Sequence, residues 1–175
     1  MLEFLILGPL EVRTDGRLVP VHGFRQRALL AMLLVHANEV VASGRLLDEL
    51  WDAGPGTETA VLRVRISQLR KALRPAGCDE LLQTRPPGYV LKLDRDRLDL
   101  GRHERLAAEA GLVLGHDPAC AAGRLREALA LWRGPPLADF AYEPFAQTTI
   151  GRLEELRFVA AQRARNTWVA LGART

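Results

Sequence analysis

Residues 62–73 read Leu62-Arg63-Val64-Arg65-Ile66-Ser67-Gln68-Leu69-Arg70-Lys71-Ala72-Leu73, and a Pro/Gly break separates them from Leu81-Leu82-Gln83-Thr84-Arg85-Pro86-Pro87-Gly88-Tyr89-Val90-Leu91-Lys92-Leu93. The first run has the period of a helix. At about 100° per residue, Leu62, Ile66, Leu69 and Leu73 fall on one narrow stripe, which is a core face. The opposite face carries Ala60, Val64, Ser67 and Lys71, flanked by Arg63, Gln68 and Arg74, with Thr59 and Arg70 at its margin. From Arg63 to Arg74 there are five basic residues and no acidic one. The second run is two short strands around Pro86-Pro87-Gly88, a hairpin with a stiff turn. The pattern predicts a helix from about Thr57 to Leu73, stopped by Pro75 and Gly77, then a hairpin.

Upstream, Leu2 to Leu7 is an apolar run ended by Gly8-Pro9, Leu10 to Arg13 alternates with period two, and Leu18 to Val21 returns after a Thr14-Asp15-Gly16-Arg17 hairpin signal. Arg25 to Ala37 is apolar around most of a helical circumference, so it is expected to be buried. Ser43 reads as the N-cap of a short helix bearing Leu46, Leu47, Leu50 and Trp51, and Gly54-Pro55-Gly56 then breaks the chain. Residues 1–93 thus read β-β-β-α-α-α-β-β. Three helices followed by a hairpin is the order of an α+β winged helix-turn-helix. From Asp94 the strand signals vanish. Leu100–Leu114, Asp117-Pro118 to Trp132, and Glu143-Pro144 to Leu171 read as helices, the last with a stripe of Ile150, Leu153, Leu156 and Ala160. The expected organisation is a winged helix over 1–93 and an all-α, tetratricopeptide-like unit over 94–175.

The chain has 175 residues, 48% of them hydrophobic and 26% charged, which excludes a disordered polymer. No apolar run approaches the ~20 residues that span a membrane. The start Met1-Leu2-Glu3-Phe4 lacks a basic n-region, so a secretory signal is not expected. Two cysteines, Cys78 and Cys120, occur with no CxxC, which suggests a cytoplasmic protein and no metal site. Of 24 basic residues 22 are arginine, and the net charge is only +3, so composition alone is weak evidence for nucleic acid. Distribution says more. Residues 57–92 hold seven basic and three acidic residues, whereas residues 1–56 hold five and seven.

A helix with a dry stripe and a basic, acid-free outer face suits the major groove. Arginine reads guanine bidentately, Ser and Gln bond base edges, and an exposed Val touches a thymine methyl. The plain alternative is a solvated face in an arginine-rich chain. Arg85 at the hairpin tip is placed to touch the DNA backbone or minor groove, with the prolines reducing the entropy lost on binding; Tyr89 is read as packing on the core. Arg25-Gln26-Arg27 opens the first helix, where free amides and a nearby Arg can hold a phosphate or simply cap the helix in water. Catalytic readings are poor. His22, His36, His103 and His116 are dispersed, and GxxxxGK[ST], HExxH and GxSxG are all lacking. Cys78 and Cys120 read as plain thiols, Glu154-Glu155 as a solvated face, and Trp51, Trp132 and Trp168 as core anchors. No enzymatic activity and no cofactor are expected.

Four segments together carry a family resemblance: Phe24-Arg25-Gln26-Arg27-Ala28-Leu29-Leu30, Leu46-Leu47-Asp48-Glu49-Leu50-Trp51, Val64 to Leu73, and Thr84-Arg85-Pro86-Pro87-Gly88-Tyr89. They resemble the OmpR-like winged helix of the SARP-type activators of antibiotic biosynthesis. Leu125-Arg126-Glu127-Ala128-Leu129-Ala130-Leu131-Trp132-Arg133-Gly134-Pro135-Pro136-Leu137 and Arg152-Leu153-Glu154-Glu155-Leu156-Arg157 are similar to the bacterial transcriptional activator domain that follows it. The resemblance implies a transcriptional activator that binds double-stranded DNA at direct repeats and recruits RNA polymerase subunits; a homodimer on DNA is one possible arrangement at such repeats. By position it makes Arg63, Val64, Ser67, Arg70 and Lys71 the groove-facing set and Arg85 the wing contact. Arg25, Thr59 and Arg74 complete the expected DNA surface. Two departures are visible. The family's activator domain is longer than residues 94–175, so apolar surface is expected at the C-terminal end, with self-association or a frayed tail. His103 also stands where the family usually has an aromatic residue. The competing class is a helical interaction module whose winged helix docks a protein. Steep loss of affinity with salt belongs to DNA binding and separates the two.

Overall fold

A computed structural model describes residues 2–51 and 58–172, with residues 58 and 59 described by backbone alone. The predicted break at Gly54-Pro55-Gly56 and the helix start at Thr57 lie outside the described residues. An antiparallel sheet opens the chain, in the order β1 (Leu2–Leu5), β2 (Glu11–Thr14), β3 (Arg17–Leu18). The β2–β3 turn puts Asp15 at φ 49° and Gly16 at φ 76°, both left-handed, which is why an Asp-Gly pair stands there.

Three helices follow: α1 (Phe24–Val35), α2 (Ser43–Leu50) and α3 (Glu58–Leu73). The hairpin β5 (Leu82–Arg85) and β6 (Gly88–Leu91) closes the winged helix, around a two-residue turn whose Pro86–Pro87 bond is cis. One strand escapes the sequence pattern. β4 (Val41–Ala42) lies before α2 and pairs with β6, giving the order β4-β6-β5. Ser43 is the first residue of α2, not its N-cap; Ala42 occupies that position without a side-chain bond, because the chain enters α2 directly from β4. The Ser43 amide instead donates to the Pro87 carbonyl at 3.1 Å, tying the wing tip to the start of α2. Gly88 is obligatory here. A Cβ on it would sit 1.8 Å from the Val41 carbonyl oxygen, so β4 and β6 approach this closely only at a glycine.

The predicted core stripe of α3 is buried: Leu62, Ile66, Leu69 and Leu73 are at most 1% exposed. α1 runs beneath it with Ala28 to Leu34 all buried. The helical half is α4 (Asp99–Val113), α5 (Pro118–Ala130) and α6 (Pro144–Gly172), with Asp117 accepting the Cys120 amide as N-cap of α5. An alanine-rich cluster of Ala110, Ala121, Leu125, Ala160 and Ala164 lets these three helices pack closely.

Residues 6–10 join the two halves. Leu7 O accepts the Arg133 amide at 2.8 Å and Ile6 O that of Leu137 at 2.9 Å. Arg133 then wraps the corner, donating to Pro9 O and to Glu11 Oε1, both at 2.6 Å. The Arg133-Gly134-Pro135-Pro136-Leu137 segment is therefore a hook on the N-terminal strand. Phe140 is buried between Phe24 of α1 and Phe145 of α6, with ring centroids 5.5 and 5.6 Å away. One apolar cluster in consequence runs from Phe4 through α1 and α3 to Trp132, Phe140 and Leu153, across the 93/94 division.

His103 is buried and meets Trp132 edge-on, with its Nδ1 3.1 Å from the Ala128 carbonyl oxygen and 3.2 Å from Trp132 Nε1. The imidazole thus supplies ring packing where an aromatic was expected. Trp132 is a core anchor and Trp51 packs half-buried against the core, but Trp168 is not an anchor: it is 52% exposed. Ala164 and Thr167 occupy the inward positions of that turn, and Phe158 and Val169 are exposed with Trp168. Among the described residues no helix is long and apolar enough to cross a membrane.

Candidate nucleic-acid interface

α3 presents the expected face. Arg63, Val64, Ser67, Gln68, Lys71 and Arg74 are exposed, and Val64 keeps 54% of its surface in solvent although it is apolar. Arg63 and Lys71 have no acidic partner among the described residues. Arg74 makes only a loose contact of 3.4 Å with Asp79, in a solvent-exposed setting. The side chain of Thr59 lies outside the described residues.

The helix is held from below. Its Arg65 carbonyl accepts the Gln26 side-chain amide of α1 at 2.6 Å, and Arg65 itself turns to Gln68 Oε1 at 3.1 Å. Beyond α3, Cys78 donates its Sγ–H to the Leu73 carbonyl at 3.2 Å. Burial, with Asp79 close by, pushes this thiol up to about 11, so it stays protonated and inert.

The wing stands beside α3. Tyr89 is 7% exposed and packs inward, as expected, while Arg85 is exposed at the tip with one loose bond of 3.4 Å to Gln83. Two sequence-predicted residues are engaged by the protein itself. Arg70 donates Nε–H to Leu82 O at 2.9 Å and Nη2–H to Thr84 Oγ1 at 3.1 Å, bridging α3 to β5. Arg25 donates to the Leu50 carbonyl at the end of α2. Helix α1 has no side-chain N-cap and no acidic residue in its first turn, so no side chain of its own caps its leading amides. Sequence reasoning missed β4, which anchors the wing. The signal there, Val40-Val41 before Ser43, is too short to show a period of two. Among the described residues no three His, Cys, Asp or Glu side chains are grouped to hold a metal ion.

This arrangement is shared with known proteins. Residues 23–91 match the family described as transcriptional regulatory protein, C terminal, and residues 98–175 match the bacterial transcriptional activator domain. Transcriptional regulatory protein EmbR of Mycobacterium tuberculosis is 38% identical over 158 residues, covering 85% of this chain and 40% of that protein. Transcriptional regulator RedD of Streptomyces coelicolor is 31% identical over 165 residues, covering 91% of this chain and 47% of that one. The solved structure of Mycobacterium tuberculosis EmbR in complex with a low affinity phosphopeptide superposes with a TM-score of 0.90 at 34% identity, over 98% of this chain and 46% of that one. The chain therefore spans less than half the length of these relatives. Both relatives are named as transcriptional regulators. With an OmpR-like winged helix joined to a bacterial transcriptional activator domain along its length, the chain belongs to the SARP-type family of transcriptional regulators.

Proposed function

We propose that this chain is a sequence-specific DNA-binding transcriptional activator of secondary-metabolite (antibiotic) biosynthesis genes, binding direct repeats and recruiting RNA polymerase. Residues 1–93 form the DNA-binding unit and residues 94–175 the activator unit. The observation that carries the reading is the outer face of α3: Arg63, Val64, Ser67 and Lys71 stand exposed with no acidic partner among the described residues, next to Arg85 on an anchored wing. A face of that chemistry on a rigid element enters the major groove, where Arg63 and Ser67 meet base edges and Val64 a thymine methyl. Lys71, Arg74 and Arg85 neutralise phosphates, and Arg25 with the open start of α1 adds a further backbone contact.

The test is selection of bound sites from a random duplex pool at two salt concentrations. The expected result is a short motif repeated at a spacing of about one helical turn, recovered less efficiently at higher salt. Recovery of no motif above background at either salt would overturn the reading and leave a protein-docking winged helix.

A further inference from the structure

Arg70 and Lys71 are neighbours on α3, yet they face different worlds. Lys71 is exposed, whereas Arg70 is half-buried and turned onto the wing. Its two bonds go to Leu82 O and Thr84 Oγ1, at 2.9 and 3.1 Å. Strand β5 is the outer strand in the order β4-β6-β5, and Leu81 O accepts the Lys92 amide at 2.7 Å. Carbonyls alternate along a strand, so Leu82 O points to the open edge, where no strand among the described residues supplies a donor. Arg70 supplies one. A guanidinium is a planar fork with fixed donor directions, so two bonds to one strand set both the distance and the tilt of that strand. An ammonium on a flexible stem cannot hold both.

We infer that Arg70 is a positioning residue, which holds the wing at a set distance from α3 so that Arg85 meets the duplex while α3 occupies the groove. This rests on the DNA-binding reading above. It gives Arg70 a role distinct from its neighbours: its donors are committed to β5, and its effect on DNA runs through Arg85.

The experiment pairs a DNA-free measurement with a binding cycle. Arg70→Lys keeps the charge and removes the fork; Thr84→Val removes one acceptor and leaves Arg70 intact. In the free protein, both are expected to speed hydrogen exchange of the paired β5–β6 amides while the buried amides of α1 keep their protection. In binding, Arg85→Ala is expected to reduce the salt slope by about one unit in the wild-type background. In the Arg70→Lys background the same change is expected to do markedly less, because the wing is no longer held in place. Thr84→Val is expected to weaken binding.

Equal effects of Arg85→Ala in both backgrounds would overturn the inference, and so would tighter binding by Thr84→Val, which would mean that a freed Arg70 contacts DNA directly. Unchanged exchange in the wing with either variant would overturn it as well. If the wild-type chain binds no duplex, the DNA reading fails and this role falls with it, even if exchange shows that Arg70 anchors the wing.

Discussion

Asp99 accepts the backbone N–H of Ile6 at 2.9 Å, although 93 residues of chain separate the two. The same carboxylate takes the amides of Leu7 and Leu100, both at 2.9 Å. Asp99 is 1% exposed, and Ile6 and Leu7 are fully buried, so no water can replace it. It is the first residue of α4 and fastens the helical half to the end of β1. Each buried amide left without an acceptor costs about 1–3 kcal/mol. Asp99→Ala is therefore expected to destabilise the chain by about 3 kcal/mol or more, since several donors lose their partner at once. Denaturant unfolding of the two proteins measures it, and a loss below about 1 kcal/mol would show that the junction is held by packing alone.

The pH dependence of this group follows from its burial. Burial raises its pKa above the ordinary 3.8, outweighing the Ile6 and Leu7 amides and the Arg133 charge that pull it down. A raised folded value means that the carboxyl's contribution to stability is complete below pH 3.8 and is lost as pH rises through the folded value. The stability difference between the wild type and Asp99→Asn should accordingly shrink as pH rises from below 3.8 through the range above it. Other carboxylates titrate in both proteins and cancel in that difference. A difference that widens with pH would mean that the amide bonds, not burial, govern the group.

Gly88 and Gly44 make a paired test of the wing. A Cβ at Gly88 would collide with the Val41 carbonyl at 1.8 Å, whereas at Gly44 nothing lies within 4 Å. Gly88→Ala must force β4 and β6 apart, at a cost of about 1–3 kcal/mol or more. Gly44→Ala, inside α2, is expected to be neutral or to add roughly 0.5–1 kcal/mol through helix propensity. Thermal melts of both variants read the contrast. Equal melting temperatures would mean that the β4–β6 contact is not a constraint.

The two faces of α3 predict opposite results for substitutions two residues apart. Ile66 is 1% exposed, and Ile66→Ala is expected to cost about 2–5 kcal/mol. Val64→Ala, on the solvent face, is expected to stay within about 0.5 kcal/mol of the wild type. A stable Ile66→Ala variant would mean that the stripe is misassigned.

Those two faces were legible in the sequence because a 3.6-residue period is a local signal. So were the Asp-Gly turn, the Asp-Pro start of α5 and the inward Tyr89. What the sequence hid is pairing at a distance. β4 has two residues and becomes a strand only by meeting β6. Asp99 reads as an ordinary first-turn carboxylate of a helix, since its acceptor role depends on the amides of Ile6 and Leu7. Arg70 and Lys71 are both cations on one helix, and only the position of the β5 edge separates the strut from the free charge. Trp168 fails in the opposite sense: it sits in an apolar helical run, but the packed turn uses Ala164 and Thr167.

The basic face itself is tested by sorting its residues into two classes. Lys71 is exposed and unpaired among the described residues, and a compact ammonium on a long stem suits phosphate rather than a particular base. Lys71→Ala should weaken binding to all duplexes alike and reduce the salt slope by about one unit. Arg63 and Ser67 lie on the outer face of α3, where bidentate and hydroxyl contacts discriminate between bases. Arg63→Ala is expected to relax preference at one position of the selected motif, with a discrimination loss of about 1–3 kcal/mol there. Ser67→Ala should act at an adjacent position and more weakly, since a hydroxyl makes one contact where a guanidinium makes two. All three residues are exposed, so the variants should melt like the wild type, and any loss of binding reports contact with DNA. Equal weakening on matched and mismatched duplexes by Arg63→Ala would move that residue to the phosphate class. Unchanged binding by all three variants would remove α3 from the interface.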